Sequence, residues 1–310
     1  MPALVLVAAA SGTIVQARMN SELVSATGNP YEVSFTNLIV GVTLASVVVL
    51  SSKTLRGSWR LLIAAIRQGS LRPWELIGGL LGGCYIAVQG SAALAVGVAI
   101  FTIAVVAGQT TGALVVDRLG LGPAGRKDVT LNRLCSAGLA ILAIVISAWG
   151  RVNDPGTSML STLVIVILAV LAGAGGALQQ AVNGRVSAAT GRSIVAAWLN
   201  FAVGSAFMII LVLTLGLIYD GPPQALQSEH WWLYLAGVFG LMYIATVAWV
   251  VRIVGVLMSS LLTLAGLLAG SLVSEYLNPT RGTSINAGLF CGIALVILAT
   301  LIAGARPTQR

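Results

Sequence analysis

The sequence predicts an all-α membrane protein of ten transmembrane helices, built as two inverted five-helix repeats with both termini on the cytoplasmic side. Three observations carry this reading. The 310 residues are 57% hydrophobic and only 8% charged, against about 25% charged in a soluble domain, and mean hydropathy is +0.97. Apolar runs of roughly the 20 residues that cross a bilayer recur along the whole chain. Finally, QARMNSELVSATG (Gln16 to Gly28) returns as QQAVNGRVSAATG (Gln179 to Gly191).

The apolar segments fall near residues 3–25, 32–52, 74–93, 95–117, 132–149, 160–186, 193–219, 231–251, 254–277 and 284–305. Turn chemistry separates several of them: Gly28-Asn29-Pro30, Asp154-Pro155-Gly156 and Asp220-Gly221-Pro222-Pro223. At Ala95 and Ile253 almost no loop exists, so those joins are either tight hairpins or signs of a helix count other than ten. LVLVAAASG near the N-terminus resembles the apolar core of a signal peptide. No positive charge precedes it, and the segment has a counterpart in the second half. It therefore reads as the first transmembrane helix.

The repeat is explicit. A shift of 163 pairs Gln16 with Gln179, Asn20 with Asn183, Asn37 with Asn200 and Gly41 with Gly204. A shift of 158 pairs Trp74 with Trp232, Tyr85-Ile86-Ala87 with Tyr243-Ile244-Ala245, Gly108 with Gly266, Gly112 with Gly270 and Asp117 with Glu275. The fifth segments align more weakly, through Asn132 with Asn286 and Gly138 with Gly292. The expected units are residues 1–153 and 154–310. Five is an odd number, so the second unit starts on the opposite side of the membrane. Inverted repeats of this kind build transporters whose site lies where the halves meet.

The net charge of +8 does not point to nucleic acid, because of where it sits. Lys53, Arg56, Arg60, Arg67 and Arg72 share one loop; Arg118, Arg126 and Lys127 lie two helices on; Arg185 and Arg192 flank the next alternate loop; Arg306 and Arg310 end the chain. The opposite loops hold only Arg151 and Arg281. Cytoplasmic loops collect Lys and Arg, which sets both termini inside. The stretch from Arg60 to Gly69 reads either as a short interfacial helix or as a plain basic loop.

The motifs QxxxN on helix 1, Asn37 and Gly41 on helix 2, and AGQTTGALVVD (Ala107 to Asp117) on helix 4 resemble the drug/metabolite transporter superfamily, in its YdcZ-like branch. The resemblance covers nearly the whole chain in its fused ten-helix form. It implies an EamA-like fold in a bacterial cytoplasmic (inner) membrane. It also implies a central cavity lined by helices 1, 3, 4, 6, 8 and 9, and export or facilitated passage of a small metabolite. Together with the inverted repeat, the expected function is a secondary transporter exporting a small metabolite or drug-like molecule by alternating access.

Gln16 and Asn20 lie one helical turn apart, as do Gln179 or Gln180 and Asn183. At membrane depth such side chains must face protein or water. They read as substrate-path residues, with interhelical hydrogen bonding as the alternative, worth about 0.6 kcal/mol per bond. Tyr85 and Gln89, Gln109, Tyr243 and Trp249 join the candidate path. Asn37 and Asn200, single and near small residues, read as structural. Arg18 and Glu22 are spaced to pair, or to form an outer gate or anion site. Asp117 and Glu275 end their helices and read as boundary residues.

Gly78 with Gly82 and Gly79 with Gly83 form interleaved GxxxG pairs, which permit close helix approach. Helix 1 carries no central acid that could couple transport to protons. No enzyme is expected: His230 is the only histidine, Cys84, Cys135 and Cys291 lack metal-ligand spacing, and no catalytic constellation appears. No cofactor or metal is expected. Expected partners are a small-molecule substrate and membrane lipid, with the chain a monomer or homodimer. The competing functional readings are a passive channel and a non-transporting membrane scaffold.

Overall fold

The computed structural model describes residues 1–123, 125–126, 128–152, 159–216, 228–277 and 287–304. The expected unit boundary at 153/154, the turns at 154–156 and 220–223, and Lys127, Arg281, Asn286, Arg306 and Arg310 lie outside them. Among the described residues every regular element is helical: α1 (Pro2–Thr27), α2 (Pro30–Ser51), α3 (Lys53–Arg67), α4 (Gly78–Val96), α5 (Val98–Leu119), α6 (Leu131–Val152), α7 (Met159–Thr190), α8 (Ser193–Gly216), α9 (Ala236–Leu277) and α10 (Ala287–Gly304), with 3-10 turns at Pro73–Leu76 and Ser228–Leu235.

Seven helical segments among the described residues are long and apolar enough to cross a membrane. They match the first four and the sixth to eighth of the expected spans. Leu134–Ala143 and Leu262–Ser271 are shorter apolar stretches within the fifth and ninth.

The turn at Gly28-Asn29-Pro30 divides its labour residue by residue. Gly28 ends α1 in the left-handed region (φ 69°) and returns its N–H to the Val24 carbonyl at 2.7 Å. Asn29 caps α2, its Oδ1 accepting from the N–H groups of Tyr31 and Glu32 at 3.0 and 3.2 Å. Pro30 takes the first helical position, where no N–H is needed. Gly191, between α7 and α8, repeats the conformation at φ 70°.

The hairpin expected near Ala95 is made by one residue. Gly97 separates α4 from α5 at φ 86°, ψ 153°, a region open essentially to glycine alone. Its equivalent at a shift of 158 is Gly255, in the same Val-Gly-Val setting. There the structure differs in form from two separate helices: the eighth and ninth expected spans are one element, α9. A straight helix would hold Gly240 and Gly270 about 45 Å apart. Yet a Cβ on Gly240 would touch Gln16, and one on Gly270 would touch Ser11 and Ile14 of the same α1. The chain of α9 therefore doubles back between its two arms, in line with the hairpin reading of the loopless join.

The stretch after α2 is a helix rather than a plain loop. Along α3 the residues Ser58, Leu62 and Ala65 are buried, with Leu62 and Ala65 packing beside Val186 and Ala196. Lys53, Arg56, Arg60 and Arg67 stay exposed. Trp59 meets Trp198 edge to face at 4.5 Å, and Trp198 Nε1 donates to Ser46 Oγ at 2.8 Å.

Glycine brings backbones into direct contact. A Cβ on Gly108 of α5 would strike the Val170 carbonyl of α7, and one on Gly266 of α9 would strike the Val7 carbonyl of α1. Gly79 lies against the Asn200 carbonyl, and Gly237 against the Asn37 carbonyl. Each pair of contacts joins positions related by the two sequence shifts.

Candidate functional site

These close helix contacts leave a cavity of about 70 Å³ among α1, α2, α4, α5, α7, α8 and α9, room for a few water molecules. Its walls come from both ends of the sequence. Gln16 faces it with Gln179, Tyr85 with Tyr243, Gly82 with Gly240, Ile86 with Ile244, and Thr13 with Gly176. Leu38 and Phe201 occupy equivalent positions, as do Gln109 and Leu267. Val105, Gly173, Gln180 and Asn200 complete the lining.

The two glycines make room for the two glutamines. A Cβ on Gly82 would lie 2.5 Å from Gln179 Nε2, and one on Gly240 would lie 2.9 Å from Gln16 Nε2. Sequence reasoning assigned Gly82 to helix packing and did not single out Gly240. The signal was present in the 158-residue shift, which carries one onto the other.

A buried carboxamide network backs the cavity. Gln16 Nε2 donates to Asn37 Oδ1 at 3.1 Å. Asn37 Nδ2 donates to Asn20 Oδ1 and to the Val33 carbonyl, both at 2.8 Å. Asn20 Nδ2 donates to Gln89 Oε1 at 2.8 Å. On the other side Gln179 Nε2 and Asn183 Nδ2 both donate to Asn200 Oδ1, at 3.0 and 3.1 Å. Gln180 Nε2 donates to the Tyr243 hydroxyl at 2.9 Å. Burying these amides in mutual hydrogen bonds avoids the cost of leaving polar groups unpaired in an apolar bundle.

The candidate residues thus divide. Gln16, Tyr85, Gln109, Gln179, Gln180 and Tyr243 line the cavity. Asn20, Gln89 and Asn183 stand behind it as buried hydrogen-bonding partners. Trp249 is 41% exposed on the outer surface, away from the path assigned to it. Its place in the helix repeat turns it outward, where an aromatic ring suits the lipid boundary. Asn37 is buried and bonds Gln16, Asn20 and the Val33 carbonyl, whereas Asn200 both bonds Gln179 and lines the cavity.

The spacing-based pair of Arg18 with Glu22 does not form. Arg18 Nε donates to Ser274 Oγ at 2.8 Å, and an Nη donates to the Ser274 carbonyl at 3.2 Å, while Glu22 is exposed. Two hydrogen bonds from a packed neighbour outcompete an exposed intrahelical pair, which is worth only a few tenths of a kcal/mol. A charge that sequence reasoning passed over is held instead. Glu75, in the 3-10 turn before α4, places Oε1 2.7 Å from Arg185 Nε. Its Oε2 accepts from the Arg72 N–H at 2.8 Å. No short-range pattern joins residues so far apart in sequence.

Among the described residues no cluster of His, Cys, Asp or Glu could hold a metal ion. The three cysteines are free and exposed.

Compared with known protein families, the chain matches the one described as "Putative inner membrane exporter, YdcZ", over residues 1–146 and 164–302. The two matched stretches begin 163 positions apart, the same shift that superposes the first two helices of each half. No curated protein matches the chain.

Proposed function

The chain belongs to the YdcZ family of inner membrane exporters and is a multi-pass inner-membrane protein, and from that premise we propose that it is a secondary transporter working by alternating access. Residues 1–153 and 154–310 act as two oppositely oriented five-helix units with both termini cytoplasmic. The substrate, a small metabolite or drug-like molecule, is held between them. Exchange of conformation between the units opens the cavity to one side and then to the other.

The observation that carries this reading is the composition of the cavity wall. Equivalent residues of the two sequence halves line it together, Gln16 with Gln179 and Tyr85 with Tyr243. A scaffold needs no such space. Two similar units that meet at one cavity can also trade roles at little energetic difference, which alternating access demands.

Site-directed labelling tests the proposal. Thr13 lines the cavity and is buried. Thr13→Cys is introduced into a chain whose Cys84, Cys135 and Cys291 are replaced by serine. It is then treated with a membrane-impermeant maleimide in right-side-out and in inverted vesicles. Alternating access predicts reaction from both faces. Reaction from neither face would leave a scaffold, and reaction from one face alone would reject alternation.

A further inference from the structure

We propose that the cavity selects a small uncharged molecule through that molecule's own hydrogen-bond donors, received by the side-chain carbonyl oxygens of Gln16, Gln179 and Gln180. The proposal rests on the reading of this cavity as the substrate site and names the class of substrate.

The direction of the Gln16 amide follows from an anchor in the backbone. The Val33 carbonyl can only accept, and Asn37 Nδ2 donates to it at 2.8 Å. Asn37 is therefore held with Nδ2 toward Val33 and Asn20, and with Oδ1 toward Gln16. Gln16 must meet that oxygen with its amide nitrogen. Its Oε1 is left with no donor among the described residues. In the other half Gln179 spends its nitrogen on Asn200 Oδ1, and Gln180 spends its own on the Tyr243 hydroxyl. Their carbonyl oxygens are left over in the same way.

A carboxamide has a donor end and an acceptor end. In Gln16, Gln179 and Gln180 the framework takes the donor ends, and the acceptor ends remain. A ligand that brings N–H or O–H groups completes them. A ligand that brings only acceptors leaves them unpaired, and sites of this kind reject such analogues strongly.

Charge is excluded by a separate observation. Among the described residues, no Asp, Glu, Lys, Arg or His belongs to the cavity lining. An ion entering would lose its hydration and gain no counter-charge, which is unfavourable for either sign. The aromatic and aliphatic walls, Tyr85, Phe201 and Ile244 among them, suit a compact, partly apolar molecule.

The test uses four probes of one two-carbon frame or its dimethyl derivative, and one polyol. Thermal unfolding of the purified full-length chain is followed with acetamide, N,N-dimethylacetamide, sodium acetate, ethylammonium chloride and glycerol at matched ionic strength. A molecule that binds the folded state stabilises it by RT ln(1 + [L]/Kd) and so raises the unfolding midpoint. The expected result is a rise with acetamide or glycerol at about tenfold lower concentration than with the other three. The acetamide and glycerol arms distinguish N–H from O–H donors. The Gln16→Leu/Gln179→Leu double variant should lose the rise. If that variant does not fold, Gln180→Met, which leaves the Asn37 and Asn200 networks intact, should weaken it. An equal rise with N,N-dimethylacetamide, a larger one with acetate or ethylammonium, or none with acetamide and glycerol overturns the proposal. Labelling of Thr13→Cys from both faces would in each of these cases leave the transport reading standing.

Discussion

Arg185 Nε lies 2.7 Å from Glu75 Oε1, and the Glu75 side chain keeps only 2% of its surface exposed. The nitrogen sits off the hydrogen-bonding direction, so the attraction is that of an ion pair by distance. The pair ties the turn before α4 to the last turns of α7. The repeat has no second copy of it: Leu233 stands at the position of Glu75 and Glu22 at that of Arg185.

Breaking this pair from one side should cost more than removing both partners. Arg185→Leu strands a buried carboxylate. The expected loss is roughly 2 kcal/mol, below the ~3–5 kcal/mol of a fully buried pair, because water still reaches the arginine. Glu75→Leu with Arg185→Leu, which restores the leucine found in the other half, should recover most of that loss. Thermal unfolding of the three variants checks this; equal losses in single and double variants would contradict it.

Asn37 is the hub of the carboxamide network and should be its most sensitive member. Asn37→Ala removes the acceptor of Gln16 and the donor to Asn20 in one step. Each stranded buried group costs about 1–3 kcal/mol. Gln89→Ala, which strands Asn20 Nδ2 and removes a hydrogen-bonding partner of Tyr85, a residue that lines the cavity, should cost less. Unfolding midpoints of the two variants, compared side by side, would sink this ordering if Gln89→Ala proved the worse.

Glycine substitutions should separate by what a new Cβ meets. At Gly79 it would strike the Asn200 backbone carbonyl, which cannot turn aside. Gly79→Ala should destabilise by about 1–3 kcal/mol or more through overpacking. At Gly57, on the exposed face of α3, a Cβ meets nothing within 4 Å. Gly57→Ala should stabilise by up to about 1 kcal/mol through helix propensity alone. A stable, well-expressed Gly79→Ala protein would count against the close contact of α4 with α8.

Much of this architecture was legible because it is written in short-range terms. Gly28, Asn29 and Pro30 each do what their backbone chemistry requires, and the loopless joins at Ala95 and Ile253 both mark a reversal of the chain. The match of residues 16–28 to residues 179–191 picked out α1 and α7, which both line the cavity, whereas α2 and α8, which supply Leu38, Asn200 and Phe201, were not among the helices expected there. Reading α3 was harder. Its apolar face packs on Val186 and Ala196, more than a hundred residues away, and only that contact distinguishes a packed helix from a basic loop.

Charge pairing was the least legible. Helical spacing offered Glu22 to Arg18, yet Ser274 takes the guanidinium, and Glu75 with Arg185 had no local signal at all. Trp249 shows the same limit. A residue beside candidate path positions in sequence can still point to the other side of its helix.

By itself the sequence determined that the chain lives in a membrane, where its helices run and that its two parts repeat. Hydropathy, turn residues and self-similarity act within one helix or one shift, so they need no coordinates. Only the tertiary structure decided that the repeated glutamines meet at one cavity, and that their amide nitrogens are spent on Asn37 and Asn200. The physical reason is that a hydrogen bond or ion pair between helices depends on packing set by distant glycine contacts. Those contacts fix which polar ends are satisfied by the protein and which remain for a ligand.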